Sequence, residues 1–142
     1  METVIGTVNN VLIEDSSLAS LLSQTSWGKP AVYESWAERK AKYPYVVLSW
    51  RFTPGIHWAR RDGYLAVDIF TKGSSSVEAE NIRNRIIELL DKRLFSADES
   101  GQIRCYLNDD MVVSDEDPEV CHWNMEFNVI FWRKEFIENL VG

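Results

Sequence analysis

The stretch from Tyr45 to Phe95 constrains this chain most, because two alternating segments run directly into one helical period. In Tyr45-Val-Val-Leu-Ser-Trp-Arg-Phe52, the side chains of Val46, Leu48, Trp50 and Phe52 fall on one face of a strand. Tyr64 to Thr71 alternates again and groups Leu65, Val67 and Ile69. Between them, Thr53 to Gly63 reads as a long hairpin loop. Lys72-Gly73 breaks the second strand, and the serines that follow offer caps, with Ser75 and Glu78 spaced as a capping box. Ile82, Ile86, Leu89, Leu90 and Leu94 then repeat at the spacing of a one-faced helix. An apolar sheet face beside an apolar helix stripe predicts that the two pack together as the core.

Before this unit, Val4, Ile5, Val8, Val11 and Leu12 share one side at helical spacing. Leu18, Leu21 and Leu22 suggest a short second helix capped by Ser16 or Ser17. Ala31 to Trp36 reads as a short extended piece, and Tyr43-Pro44 leads into the first main strand. After the long helix, Ser96 to Gly101 reads as a polar turn. Ile103, Cys105 and Leu107 alternate, and Cys121, Trp123, Met125, Phe127, Val129 and Phe131 share one face in the cleanest period-two run of the chain. Lys134 to Gly142 reads as a terminal helical turn. The expectation is one α+β domain over residues 1–142, an antiparallel sheet of about four strands in two hairpins, with helices packed on one face. The other sheet face, with Tyr45, Val47, Tyr64, Phe70, Ile130 and Trp132, is more apolar than water requires, which predicts a covering segment or a partner subunit.

The 142 residues suffice for a sizeable core, and 45% hydrophobic residues exclude a disordered chain. No apolar run reaches the roughly 18–20 residues of a membrane span, and the first residues lack the pattern of a signal peptide, so a cytoplasmic chain is expected. A formal charge of −7 disfavours proteins that must neutralise many phosphates. The phosphate-loop, dinucleotide, nucleophile-elbow and zinc-protease motifs are all missing, and no cofactor is implied. Cys121 and His122 are adjacent, so in a strand they point to opposite faces and do not share a metal ion. Cys105 and Cys121 lie on the inward faces of neighbouring strands, as a pair of core thiols in a reducing compartment.

Two clusters and one pair of carboxylates remain. His57, Trp58, Arg60 and Arg61 place an aromatic ring and two guanidinium groups on the first hairpin of an acidic protein, residue types enriched at interface hot spots. The alternative is an ordinary polar hairpin with Trp58 folded onto the sheet. Asp109, Asp110, Asp115, Glu116, Asp117 and Glu119 fall within eleven residues that contain no base. They lack the residue order of a calcium loop and read as a solvated hairpin tip that repels phosphate. Asp68, between Val67 and Ile69, or Glu126 would be the acid–base group if the chain were a small hydrolase or ligand-binding domain.

Tyr43-Pro-Tyr-Val-Val-Leu48 resembles the "PYVVL" strand of phage and prophage tail-completion proteins of the tail-terminator, or tail-to-head joining, group. The Leu-rich stretch Leu18 to Leu22, the aromatic at Val32-Tyr33, the strand Ala66 to Phe70 and the helix Glu78 to Leu90 match the order and spacing of that group. The resemblance covers about residues 8 to 95. It implies a non-enzymatic assembly protein, a homo-oligomeric ring, commonly a hexamer, that caps the tail tube and offers a surface to the head connector. It further implies tail-tube and connector proteins as partners, DNA passing without specific binding, and location in the host cytoplasm and then the virion tail. On this resemblance the six acids face the bore and the Trp58–Arg61 hairpin docks to tube or connector. Another head–tail connector or neck protein is the alternative.

Overall fold

The computed structural model describes residues 2–53, 60–73, 75–97 and 101–133. Their order is α1 (Glu2–Glu14), α2 (Ser16–Leu21), β1 (Val32–Glu34), β2 (Tyr45–Phe52), β3 (Arg60–Lys72), α3 (Val77–Leu90), β4 (Leu94–Ala97), β5 (Gly101–Val113) and β6 (Val120–Arg133). The strands form one sheet in the order β1-β2-β3-β6-β5-β4. β1 runs parallel to β2, and every other neighbouring pair is antiparallel.

The expected four-stranded antiparallel sheet with helices on one face is therefore corrected to a six-stranded mixed sheet curled into a half-barrel. The two additional strands were left out of the expected sheet for different reasons, although β1 falls within the short extended piece read at Ala31 to Trp36. β1 has three residues, too few to display a period of two. β4 begins at Leu94, four residues after Leu90, so its first residue continued the helical spacing although α3 ends at Leu90.

The curl shows in what α1 touches. Six strands at about 4.8 Å spacing put the edges roughly 24 Å apart in a flat sheet. A helix of 13 residues is only about 20 Å long. Yet α1 packs against β4 and β5 while Asn9, in its middle, reaches the other edge. Asn9 is buried; its Nδ2 donates to Glu34 of β1 at 2.8 Å and its Oδ1 accepts from Trp50 of β2 at 3.0 Å.

Val4, Val8 and Leu12 of α1, Leu18 of α2 and Ile82, Ile86 and Leu90 of α3 meet Leu48, Leu65, Val67, Ile69, Ile103, Met125 and Phe127 of the sheet in one cluster. The alternating faces and the helix stripe thus form the core as the sequence pattern indicates. The caps differ from expectation. Asp15, not a serine, caps α2 by accepting from the Leu18 amide at 2.8 Å. Ser76 precedes α3 and makes no side-chain cap, while the Ser75 hydroxyl accepts from the Val77 amide at 3.3 Å and not from Glu78, so only part of the expected Ser75–Glu78 capping is realised.

On the convex face, Ala31, Tyr33 and Val47 are buried beneath Ala37, Ala41, Tyr45 and Phe70. The connector between β1 and β2 therefore covers part of the apolar second face, one of the two outcomes expected for it. Tyr64, Ile130 and Trp132, farther along that face, are half-buried. The two thiols are not neighbours: Cys105 lies opposite Val129, eight residues along β6 from Cys121, or about 26 Å. Lys134 to Gly142 lies outside the described residues.

Candidate functional site

The acidic run does not stay together. β5 continues through Val113, so Asp109 and Asp110 are strand residues paired with Glu126 and Met125 of β6, and only Asp115, Glu116, Asp117 and Glu119 occupy the connection to β6. A bulge between Leu107 and Asp109 shifts the alternation. Asp110 consequently turns to the helix side, where Arg83 of α3 and the indole of Trp123, at 3.1 Å, bond its Oδ2. The Arg83 hydrogen bond holds its carboxyl below the usual range, against the opposing effect of burial. Asp110 thus works as a helix-to-sheet tie, whereas Asp109 remains exposed.

At the tip, Asp115 accepts from the Asp117 amide at 3.0 Å, and Asp117 accepts from the Glu119 amide at 2.9 Å. Lys72 at the end of β3 lies 3.3 Å from Asp117 and 3.9 Å from Glu119. The Glu119 amide and then Lys72 hold the Asp117 carboxyl below the usual range. The arrangement is a compact negative knob with one cation at its base.

At the far end of β3, Arg60 and Arg61 pair with Trp132 and Phe131 of β6. Arg60 is exposed and its Nε lies 3.0 Å from Asp62. Arg61 donates to the Thr53 carbonyl at 3.4 Å, and its buried Nε has no partner among the described residues. Thr53 closes this end through its amide, 2.9 Å, and hydroxyl, 2.8 Å, both donating to the Asp62 carbonyl. Arg51 adds a third cation beside Tyr64. His57 and Trp58 lie outside the described residues.

Asp68 is engaged with its neighbours. Its Oδ1 accepts from Asn124 Nδ2 at 2.9 Å and lies 2.7 Å from His122 Nε2. The His122 ring stacks on Phe70 at 4.2 Å, while Cys121 packs on the core side, as strand alternation requires.

One feature escaped the sequence pattern. A groove of about 580 Å³ runs along the open edge of β1, with Glu14, Glu34, Glu38 and Lys29 among its walls and Trp27 and Trp36 beside them. The two tryptophans are 64% and 78% exposed, the most exposed large apolar side chains among the described residues. Gly28, at φ +79°, makes the tight turn that carries Trp27, closed by the Thr25 amide donating to the Lys29 carbonyl at 2.7 Å. Ser26 donates to Glu38 from its amide and hydroxyl, which fixes this turn to the Trp36 segment. The Val46 amide donates to the Ala31 carbonyl and the Ser35 amide to the Leu48 carbonyl, so residues 31 and 35 face β2. Alternation then directs the backbone of Val32 and Glu34 to the outer edge.

This fold has counterparts among solved structures. A chain in the virion of a native gene transfer agent particle matches with a TM-score of 0.68 and 15% identity, covering 88% of this chain and 91% of that one. What the two share is the fold. A second solved protein matches with a TM-score of 0.62 and 11% identity over 92% of this chain and 95% of that one. No family model and no curated protein matches the chain.

The matches cover 88% and 92% of this chain, so most of its scaffold is one that other chains also use. Among the described residues no group of three or more His, Cys, Asp or Glu is placed to hold a metal ion, and no helix is long and apolar enough to cross a membrane. The described residues present three charged surface features: a negative knob, a positive hairpin base, and an acidic groove with two indoles.

Proposed function

We propose that the chain is a structural virion protein that closes the end of a tail tube as a homo-oligomeric ring and presents the docking surface for the head connector, without catalysis. The observation that carries this reading is the near end-to-end likeness to a chain of the gene transfer agent virion. The matches of Tyr43 to Leu48 and of the helix before Leu90 to the tail-terminator group point the same way. The charge layout supports it. A knob of Asp115, Glu116, Asp117 and Glu119 facing a bore would repel passing DNA, because like charge disfavours phosphate contact. The arginine-bearing hairpin base and the tryptophan-edged groove supply surfaces for protein neighbours. A hydrolase reading gains nothing from Asp68, which is taken up by His122 and Asn124 and does not line the groove.

The test is the solution mass of the pure chain by light scattering, alone and with polymerised tail tubes from the same genome. A ring-sized species, or a monomer that becomes bound at tube ends, is expected. A monomer indifferent to tubes overturns the proposal.

A further inference from the structure

We infer that the groove along β1 is the acceptor for a second copy of this chain, which inserts the arginine-bearing base of its β2–β3 hairpin between Trp27 and Trp36. The inference rests on the ring reading above and names the contact that builds the ring. Charge complementarity is its first support. The groove carries Glu14, Glu34 and Glu38 against Lys29 alone, an acidic excess. The hairpin base carries Arg51, Arg60 and Arg61 against Asp62 alone, a basic excess in a chain whose net charge is −7. None of these arginines lines the groove of its own chain. The Arg60–Asp62 pair is half-exposed on both sides, and such pairs hold their members weakly.

The chemistry of the walls is the second support. Indole faces attract guanidinium groups, and tryptophan and arginine are both enriched among the residues that carry interface energy. Along the outer edge of β1 the Val32 amide donates to the Pro30 carbonyl at 2.8 Å and the Glu34 carbonyl accepts from the Trp36 amide at 2.9 Å, so recognition in the groove falls to its side chains. A groove and a hairpin are different patches, so unless two copies exchange hairpins reciprocally their contact is heterologous. Repeated head to tail from copy to copy, it gives a closed ring or an open helix, whereas a reciprocal pair would stop at a two-fold dimer and overturn the ring contact.

The test uses the full chain, with tail tubes present so that assembly needing the tube is counted. Glu14 and Arg60 are exposed, so Glu14→Arg and Arg60→Glu leave the fold intact, checked by circular dichroism. Each single variant is expected to weaken self-association by about tenfold or more, and the double variant to recover most of the loss, as charge pairs across interfaces do. In a Cys121→Ser background, Trp36→Cys chains mixed with Arg60→Cys chains should give a bismaleimide-linked dimer holding one of each, and neither variant alone should give any. Links between two Trp36→Cys chains, or from Trp36→Cys to the tube protein, would overturn the assignment of the occupant. Undiminished ring-sized mass in both single variants would overturn this contact while leaving the ring. A wild-type monomer that ignores tubes would remove the ring reading itself, and this contact with it.

Discussion

Replacing Asp15 tests how α2 is held to α3, because one carboxylate serves both. Its Oδ2 caps α2 through the Leu18 amide at 2.8 Å. The same carboxylate receives Arg85 of α3 in fork geometry, Nε to Oδ2 at 2.9 Å and Nη2 to Oδ1 at 2.6 Å. The Asp15 side chain is only 13% exposed. The cap is worth about 1 kcal/mol and hydrogen bonds to a charged group about 1.5–3 kcal/mol. Arg85 is 30% exposed and keeps Glu88 at 2.8 Å, so removing its partner does not strand a buried charge. Asp15→Ala is thus expected to cost about 2–4 kcal/mol in urea unfolding at neutral pH, with an unchanged m-value. Asp15→Asn keeps a good cap and loses the charge, so about 1–2 kcal/mol is expected. The Arg85 hydrogen bonds, aided by the Leu18 amide and opposed by burial, hold the Asp15 carboxyl below its ordinary 3.8. A depressed folded pKa gives stabilisation that is complete above the unfolded value and is lost as pH falls through the folded one. The gap between wild type and Asp15→Asn should therefore be full at pH 7 and shrink steadily below about pH 4. Asp110 and Asp117 are also held low, but they are common to both proteins and cancel in that difference. A gap that stays constant into strong acid, or an Asn variant as damaged as the Ala variant, would refute the account.

Phe127 is fully buried in the core, so Phe127→Ala should lose about 3–5 kcal/mol by chemical denaturation, whereas Trp123→Ala, only partly buried beside Arg83, should lose less. A Cβ at Gly63 would stand 2.2 Å from the Arg51 carbonyl oxygen and 2.8 Å from Phe52 Cα. Gly63→Ala should accordingly cost about 3 kcal/mol, the upper part of the overpacking range, and a loss below about 1 kcal/mol would show that β2 and β3 separate easily there. Burial, followed by the Asp91 charge, pushes the Cys105 thiol up to about 12. A disulfide reagent at pH 8 should then label no more than Cys121 in the folded chain and reach Cys105 only in denaturant; rapid labelling of both would contradict the core placement.

The core was legible because its residues repeat with the period of their element. Val46 and Leu48, Leu65 to Ile69, and Ile82 to Leu90 all lie where strand and helix geometry put them. The edges were not, because β1 and β4 have three and four residues and owe their conformation to the strands beside them. Sheet curvature was equally hidden. It accompanies the meeting of Asn9 with Glu34 and Trp50, contacts 25 and 41 residues away that leave no periodic trace. The groove goes with those edges. Trp27 and Trp36 stood in the sequence as aromatics among polar neighbours, and that mismatch was the one available sign of it.

The acidic run shows how one residue decides which charges remain on a surface. Leu107 and Asp110 are three apart, so strict alternation places them on opposite faces, and counting acids along the chain makes Asp110 part of an exposed tip. The bulge after Leu107 adds a residue to β5 with no counterpart in β6, and the two side chains then share the helix face. On that face a carboxylate needs partners, and Arg83 and Trp123 supply them. The free acidity is thereby confined to Asp109 and to the four residues of the tip, where Lys72 is the cation at hand. A negative knob at the end of a hairpin anchored by Asp110 is a better fixed source of repulsion than a loose loop, since its charges move with the sheet.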